Sequence, residues 1–257
     1  MRKILLSVAG FDPTSGAGAS LDLKVFELLD FRGMSVLTSL TVQNSQSVKK
    51  VHNLPPEFLM EQYKALREDV PISGIKIGML GWDKNIPVIK TILTDNPDVQ
   101  RVVDPVFKSS SGTWLLEQEA IPDYISQIRG NASLLTPNQE EAGLMAGRKV
   151  QSQEDMKAAA EHIYSISSIP CFITGGVFSD QSVNLLYDGK KFYFFRKEKL
   201  NKKVHGTGCF LSSSLLAYLV KGNSLEKACH LATEITHKAI KGASQIGRGQ
   251  ALITLIT

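Results

Sequence analysis

The chain has 257 residues, 43% of them hydrophobic, enough to bury the core of one α/β domain spanning 1–257. Its formal net charge of +4 comes from scattered Lys and Arg, with no basic run longer than Lys190-Lys191 or Lys202-Lys203, which argues against nucleic acid as a partner. Three cysteines, Cys171, Cys209 and Cys229, are an odd number without C-x-x-C spacing, which argues against a disulfide framework or a zinc site and favours a reducing, cytoplasmic setting.

Arg2-Lys3 ahead of the apolar run 4–11 mimics the start of a signal peptide, but Asp12-Pro13 breaks the run and no small-residue cleavage pattern follows. A buried first strand over 4–9 explains it better, and no apolar run approaches the roughly 20 residues that cross a bilayer. A helix over 16–29 follows, with Leu21, Val25, Leu28 and Leu29 on one face, then a strand over 34–42. Pro55-Pro56 opens a helix carrying Phe58, Leu59, Tyr63 and Leu66, with proline in the first turn, where it is tolerated. Next come a strand over 74–79, a helix over 86–93 and a strand over 101–104. Helices over 115–128 and 139–145 flank a short strand in 132–136. A helix over 156–166, a strand over 171–174, a hairpin over 183–195 turning near Asp188-Gly189, and two C-terminal helices complete the chain. Alternation of strands and helices with short connections predicts a mostly parallel sheet with helices on both faces and a small antiparallel edge hairpin.

In such sheets ligands bind beyond the carboxyl ends of the strands. The residues just after each predicted strand are chemically distinctive. The first strand runs into a glycine-rich turn ending in Gly16-Ala17-Gly18, and the second into Gln43-Asn44. The third ends in Lys76-Ile77-Gly78-Met79, and the fourth in Asp104-Pro105-Val106 with Lys108 beyond. The fifth ends in Thr136-Pro137-Asn138 with Glu141 beyond, and the sixth in Thr174-Gly175-Gly176. A second glycine turn, His205-Gly206-Thr207-Gly208-Cys209, opens the helix over 210–220. Glycines there leave room for a close ligand, and a helix N-terminus offers N–H groups and a positive dipole end to an anion. The same field lowers the pKa of a thiol at Cys209. Asp104, Asn138 and Glu141 read equally as caps on their own, but together beyond adjacent strands they favour a metal and phosphate site. His230, Glu234 and His237 share a helix face and read as a packed or solvated face rather than a metal site, and Cys171 as a core thiol.

These segments, in this order, resemble the hydroxymethylpyrimidine (phosphate) kinases of thiamin biosynthesis, a branch of the ribokinase-like superfamily. The resemblance rests on Ala9-Gly10-x-Asp12-Pro13-x-x-Gly16-Ala17-Gly18, Thr41-x-Gln43-Asn44, Val51-His52-x-x-Pro55-Pro56-Glu57-Phe58 and Lys76-Ile77-Gly78-Met79-Leu80. It continues through Asp104-Pro105-Val106, Thr136-Pro137-Asn138-x-x-Glu141 and His205-Gly206-Thr207-Gly208-Cys209. It implies a three-layer ribokinase-like fold and phosphorylation of 4-amino-5-hydroxymethyl-2-methylpyrimidine by ATP with Mg²⁺, and of its monophosphate to the pyrophosphate. It places Cys209 at the substrate hydroxyl, as base or as orienting group, and Gly206, Thr207, Gly208, Asn138, Thr174 and Gly176 around the ATP phosphates. Asp104 and Glu141 would hold Mg²⁺ through water. Gln43 would read the aminopyrimidine, its amide matching a ring nitrogen and an exocyclic amine, with Gly10, Asp22, Met79 and Val106 lining the same pocket. Met79 taken alone reads better as core.

Two departures from the family pattern stand out. Thr174 occupies a position where the family commonly has a lysine reaching a phosphate, a charge that Lys76 or Lys108 could supply in part. A sister group that phosphorylates pyridoxal shares Thr-Gly-Gly but generally lacks the Gln-Asn pair, so Gln43 favours the pyrimidine and pyridoxal is the alternative substrate. Ser109-Ser110-Ser111 also stands where relatives often place a lysine, which implies weak nucleotide affinity. A non-catalytic pyrimidine-binding protein is the remaining alternative, and relatives of this fold are often homodimers.

Overall fold

The structure, a computed structural model, describes residues 2–109, 112–178 and 180–255. Ser110 and Ser111 of the serine-rich segment therefore lie outside the described residues.

The first strand sets the architecture. In β1 (Ile4–Phe11) seven consecutive residues are buried, which requires covered faces on both sides. β1 pairs in parallel with β2 (Arg32–Gln43) and with β4 (Ile72–Ile77). β5 (Gln100–Val103), β6 (Leu134–Leu135) and β7 (Cys171–Phe178) extend the parallel array. Antiparallel strands close both edges: β3 (Val48–Asn53) beside β2, and β8 (Gln181–Tyr187) with β9 (Phe192–Glu198) beside β7. The sheet order is β3-β2-β1-β4-β5-β6-β7-β8-β9.

Strand alternation splits the core into two layers. Leu5, Val102, Leu134 and Phe172 face α1 (Gly18–Leu28), α7 (Thr207–Val220) and α8 (Leu225–Gly242). Leu6, Val103, Leu135 and Ile173 face α2 (Pro56–Asp69), α3 (Ile86–Thr94), α4 (Ile121–Ile128), α5 (Gln139–Ala146) and α6 (Gln153–Ser167). This is the three-layer arrangement, mostly parallel with helices on both faces, that the resemblance implied. A short parallel pair, β10 (Val204–His205) with β11 (Ala251–Leu252), brings the C-terminal segment against the second glycine turn. Among the described residues no helix is long and apolar enough to cross a membrane.

Besides the unforeseen β10–β11 pair, three elements differ from the sequence expectation, each for a physical reason. The helix expected over 115–128 begins only at Ile121, because Pro122 suits a first turn and disrupts a helix interior. Leu115 and Leu116 instead donate their N–H groups to Phe107 O at 2.8 and 3.2 Å. β3 escaped the period-2 reading because its residues are half-buried or exposed; Asn44 makes the turn into it, its Oδ1 accepting from Gln46 and Ser47 N–H. β7 continues past Gly175-Gly176, and Gly175, at φ 71°, absorbs the register shift against β8.

Phe172 is fully buried and packs edge-on against Phe195, ring centroids 5.6 Å apart. Truncation to alanine is expected to cost about 3–5 kcal/mol in a urea-unfolding measurement.

Candidate active site

Beyond the carboxyl ends of the parallel strands lies a cavity of about 380 Å³. It is lined by Gly10, Gln43, Met79, Asp104, Val106, Asn138, Glu141, Thr174, Gly206, Thr207, Gly208 and Cys209. Twelve of the fourteen residues singled out in the sequence thus meet in one place. Asp22 and Gly176 do not line it. Gly176 instead packs internally, where a Cβ would fall 2.9 Å from the Met156 sulfur and 3.0 Å from Val183 O.

The anion turn is built by two glycines doing different jobs. Gly206 caps α7 at φ 80°, and a Cβ there would lie 1.8 Å from Gly16 O, so this glycine allows the two glycine turns to pack on each other. A Cβ on Gly208 would meet nothing within 4 Å, so this glycine leaves the helix mouth open. Thr207, Gly208 and Cys209, the first turn of α7, line that opening, and the N–H groups of a helix's first turn, which lack partners within the helix, suit an anion.

Asp22 has a role below the cavity. It is fully buried and accepts from Ser7 Oγ at 2.6 Å, Ser213 Oγ at 2.8 Å and Lys76 Nζ at 2.5 Å. Lys76 does line the cavity. Burial opposes the charge on Lys76, but Asp22 above all, then Cys209 and Asp104, more than offset it and hold its pKa above the ordinary value. Cys209 departs from the helix-dipole expectation. Desolvation pushes its thiol up to about 12; Lys76 pulls it down, Asp22 and Asp104 push it up, and a hydrogen bond from the Gly18 backbone lowers it. Desolvation is the largest of these effects, and it favours the thiol over the thiolate.

Asp104 and Glu141 form a second charged layer. Asp104 Oδ1 accepts from Thr136 Oγ1 at 3.2 Å and Oδ2 from Ser212 Oγ at 3.0 Å. Glu141 Oε2 accepts the Asn138 N–H at 2.8 Å, while Asn138 Oδ1 accepts from the N–H groups of Glu140 and Glu141, a complete capping box at the start of α5. The cap and the site are therefore the same residues. Burial raises the pKa of Asp104, with Lys76 opposing, and raises that of Glu141 further, the Asp104 charge adding to it. Two carboxyl groups held in a shared, water-poor wall and resisting ionisation suit a divalent cation, whose charge would relieve both. Among the described residues no three His, Cys, Asp or Glu side chains cluster to hold a metal by themselves, so phosphate and water oxygens have to complete such a shell.

At the other end of the cavity, Gln43 Nε2 lies 3.4 Å from His205 Nε2, which lies 2.8 Å from Asp12 Oδ2. Asp12 and His205 stand inside the quoted motifs, yet nothing local in the sequence marks them as partners 193 positions apart. Burial opposes ionisation of Asp12, but hydrogen bonds from His205 and Thr14 outweigh it and lower its pKa. Lys108 lines the cavity mouth, paired with Glu140 at 2.5 Å and 4.2 Å from the Trp114 ring centroid. On α8, Glu234 pairs with Lys197, His237 lies 3.5 Å from Glu198, and His230 packs against Phe195, so this face is packed and ion-paired.

An α/β sheet of this topology, with an anion turn, paired carboxyls and a thiol around one cavity, defines a phosphotransferase of the ribokinase-like class. The profile of the phosphomethylpyrimidine kinase family matches residues 12–254. The hydroxymethylpyrimidine/phosphomethylpyrimidine kinase of Aquifex aeolicus is 38% identical over 97% of this chain and 99% of its own. Among solved structures, the phosphomethylpyrimidine kinase of Clostridium difficile superposes with a TM-score of 0.81 at 32% identity, over 93% of this chain and 100% of that one. The pyridoxal kinase of Staphylococcus aureus in complex with AMP-PCP superposes with a TM-score of 0.89 at 31% identity, over 98% and 93%. The chain belongs to the phosphomethylpyrimidine kinase family.

Two outcomes test this electrostatic layout. Asp22→Ala leaves Lys76 charged and uncompensated in the core, and is expected to cost about 3–5 kcal/mol of stability in urea unfolding. Because the Asp12 pKa is depressed by folding, its contribution is present above the ordinary carboxylate value and is lost as pH falls through the folded-state value. The stability gap between wild type and Asp12→Asn should therefore hold above about pH 4 and close below it.

Proposed function

We propose that this protein transfers the γ-phosphoryl group of ATP to the hydroxymethyl group of 4-amino-5-hydroxymethyl-2-methylpyrimidine, and then a second phosphoryl group to the monophosphate, in thiamine biosynthesis. The observation that carries the reading is the convergence of Gln43, Cys209 and the Gly206–Cys209 turn on one cavity. The family's named activity supports it.

In this reading Gln43 holds the aminopyrimidine edge-on, with Gly10, Met79 and Val106 against the ring. The N–H groups of Thr207, Gly208 and Cys209 receive the charge that develops on the transferred phosphoryl group. Lys76 adds a fixed positive charge behind Cys209, and Asn138 and Thr174 offer polar groups to the nucleotide phosphates. Asp104 and Glu141 hold Mg²⁺, which would neutralise phosphate charge. Phosphoryl transfer through a loose transition state relies on positioning and charge neutralisation more than on a strong base. A neutral Cys209 thiol fits that demand: it orients the hydroxyl for in-line attack, and the hydroxyl proton passes late to an oxygen of the transferred phosphoryl group. The mixed signal of Thr174 and the pyridoxal kinase neighbours makes pyridoxal the competing acceptor.

The test is product-resolved turnover with Mg-ATP, offering the hydroxymethylpyrimidine, its monophosphate and pyridoxal in parallel. Both pyrimidines should be phosphorylated in preference to pyridoxal, with kcat falling about 10²-fold or more in Cys209→Ala. Preference for pyridoxal would replace this reading with its alternative. Pyrimidine binding without phosphorylation of any acceptor would leave a binding protein.

A further inference from the structure

Segments far apart in the sequence meet at one imidazole. His205, the last residue of β10, presents Nε2 to Asp12 Oδ2 at 2.8 Å and to the Gln43 amide at 3.4 Å. All three side chains line the cavity. The ring is closely seated, since a Cβ on Gly16 would fall 2.6 Å from its Cδ2. β11 sets Leu252 opposite His205, and the preceding residue but one, Gln250, donates its N–H to Ser45 O at 2.8 Å. The C-terminal segment thus braces both the imidazole and the turn beyond Gln43.

Asp12 decides where the ring carries its hydrogen. Its Oδ1 accepts from both the N–H and the hydroxyl of Thr14, each at 2.8 Å, the pattern of a carboxylate acting only as acceptor. Oδ2 therefore needs a hydrogen on Nε2, whether the ring is neutral or charged. A nitrogen bearing that hydrogen in the ring plane cannot accept another from Gln43. An amide NH₂ facing it would set donor against donor. Rotating the amide by 180° exchanges Oε1 and Nε2 and removes the conflict.

We propose that His205, held by Asp12, is a specificity-determining positioning residue that turns the Gln43 carbonyl toward the imidazole and the Gln43 NH₂ toward the ligand. The inference rests on the reading of Gln43 as the pyrimidine reader. The pocket then demands an acceptor at the ligand's ring nitrogen. The 4-amino pyrimidine offers one; its 4-oxo analogue in the lactam form offers an N–H there and meets a donor with a donor.

The experiment combines ¹⁵N NMR of histidine-labelled protein with kcat/KM for the 4-amino and 4-oxo hydroxymethylpyrimidines. Wild type, His205→Ala, His205→Gln, Gln43→Ala and the double variant His205→Ala with Gln43→Ala are compared. His205 Nε2 should be protonated, and wild type should favour the amino compound by about tenfold or more, as expected for one misplaced hydrogen bond. His205→Ala frees the amide to rotate and should narrow the preference to about threefold or less, with no further narrowing in the double variant. His205→Gln, which can donate to Asp12 and Gln43 alike, should restore part of it. A preference unchanged in His205→Ala, with only kcat reduced, would overturn the inference. So would an unprotonated Nε2 in an enzyme that turns over the 4-amino compound. Wild type that phosphorylates neither pyrimidine would overturn the reading of function, and this inference with it.

Discussion

Beneath the cavity, Lys76 on β4 and Asp22 on α1 form an ion pair with no solvent exposure on either side chain. Ser7 on β1 and Ser213 on α7 complete the hydrogen bonding of that carboxylate, so four elements are tied at one point. A charge pair this deep is tolerated only when it is well hydrogen-bonded; here both Asp22 oxygens accept hydrogen bonds, and the Lys76 charge also acts on Cys209 and Asp104 above it. Lys76 raises the local potential next to Cys209 and Asp104, and Asp104 in turn bears on Glu141. The chemistry of the cavity is arranged around this fixed positive charge.

The second constraint is steric. Gly16 and Gly206 allow two turns from opposite ends of the chain to touch, backbone against backbone, which sets the mouth of α7 beside the first strand. Donors fixed in this way need no reorganisation when charge develops on a transferred group. The capping box at Asn138 and Glu141 works in the same manner: the hydrogen bonds that start α5 also hold a carboxyl in the cavity wall. Stability and site geometry are supplied by the same contacts.

Much of this was legible along the chain. Apolar runs and the 3.6-residue period located the buried strands and most helices, because both signals depend only on neighbours in sequence. The motifs after each strand located the cavity, because open α/β sheets gather those positions at one edge. The reading weakened where a signal was diluted, as at the half-exposed β3, or where one proline overruled an apolar pattern, as at Pro122.

The sequence by itself determined the fold class, the order of the polar turns, and the family to which they belong. Only the tertiary structure decided the state of the groups it assembled. It placed Asp22 under Lys76 instead of in the cavity wall, pushed the Cys209 thiol up by desolvation, and brought Asp12, Gln43 and His205 into one chain of contacts. Periodicity and glycine placement are local properties. Burial and long-range charge belong to the assembled molecule, and they set what each group can do.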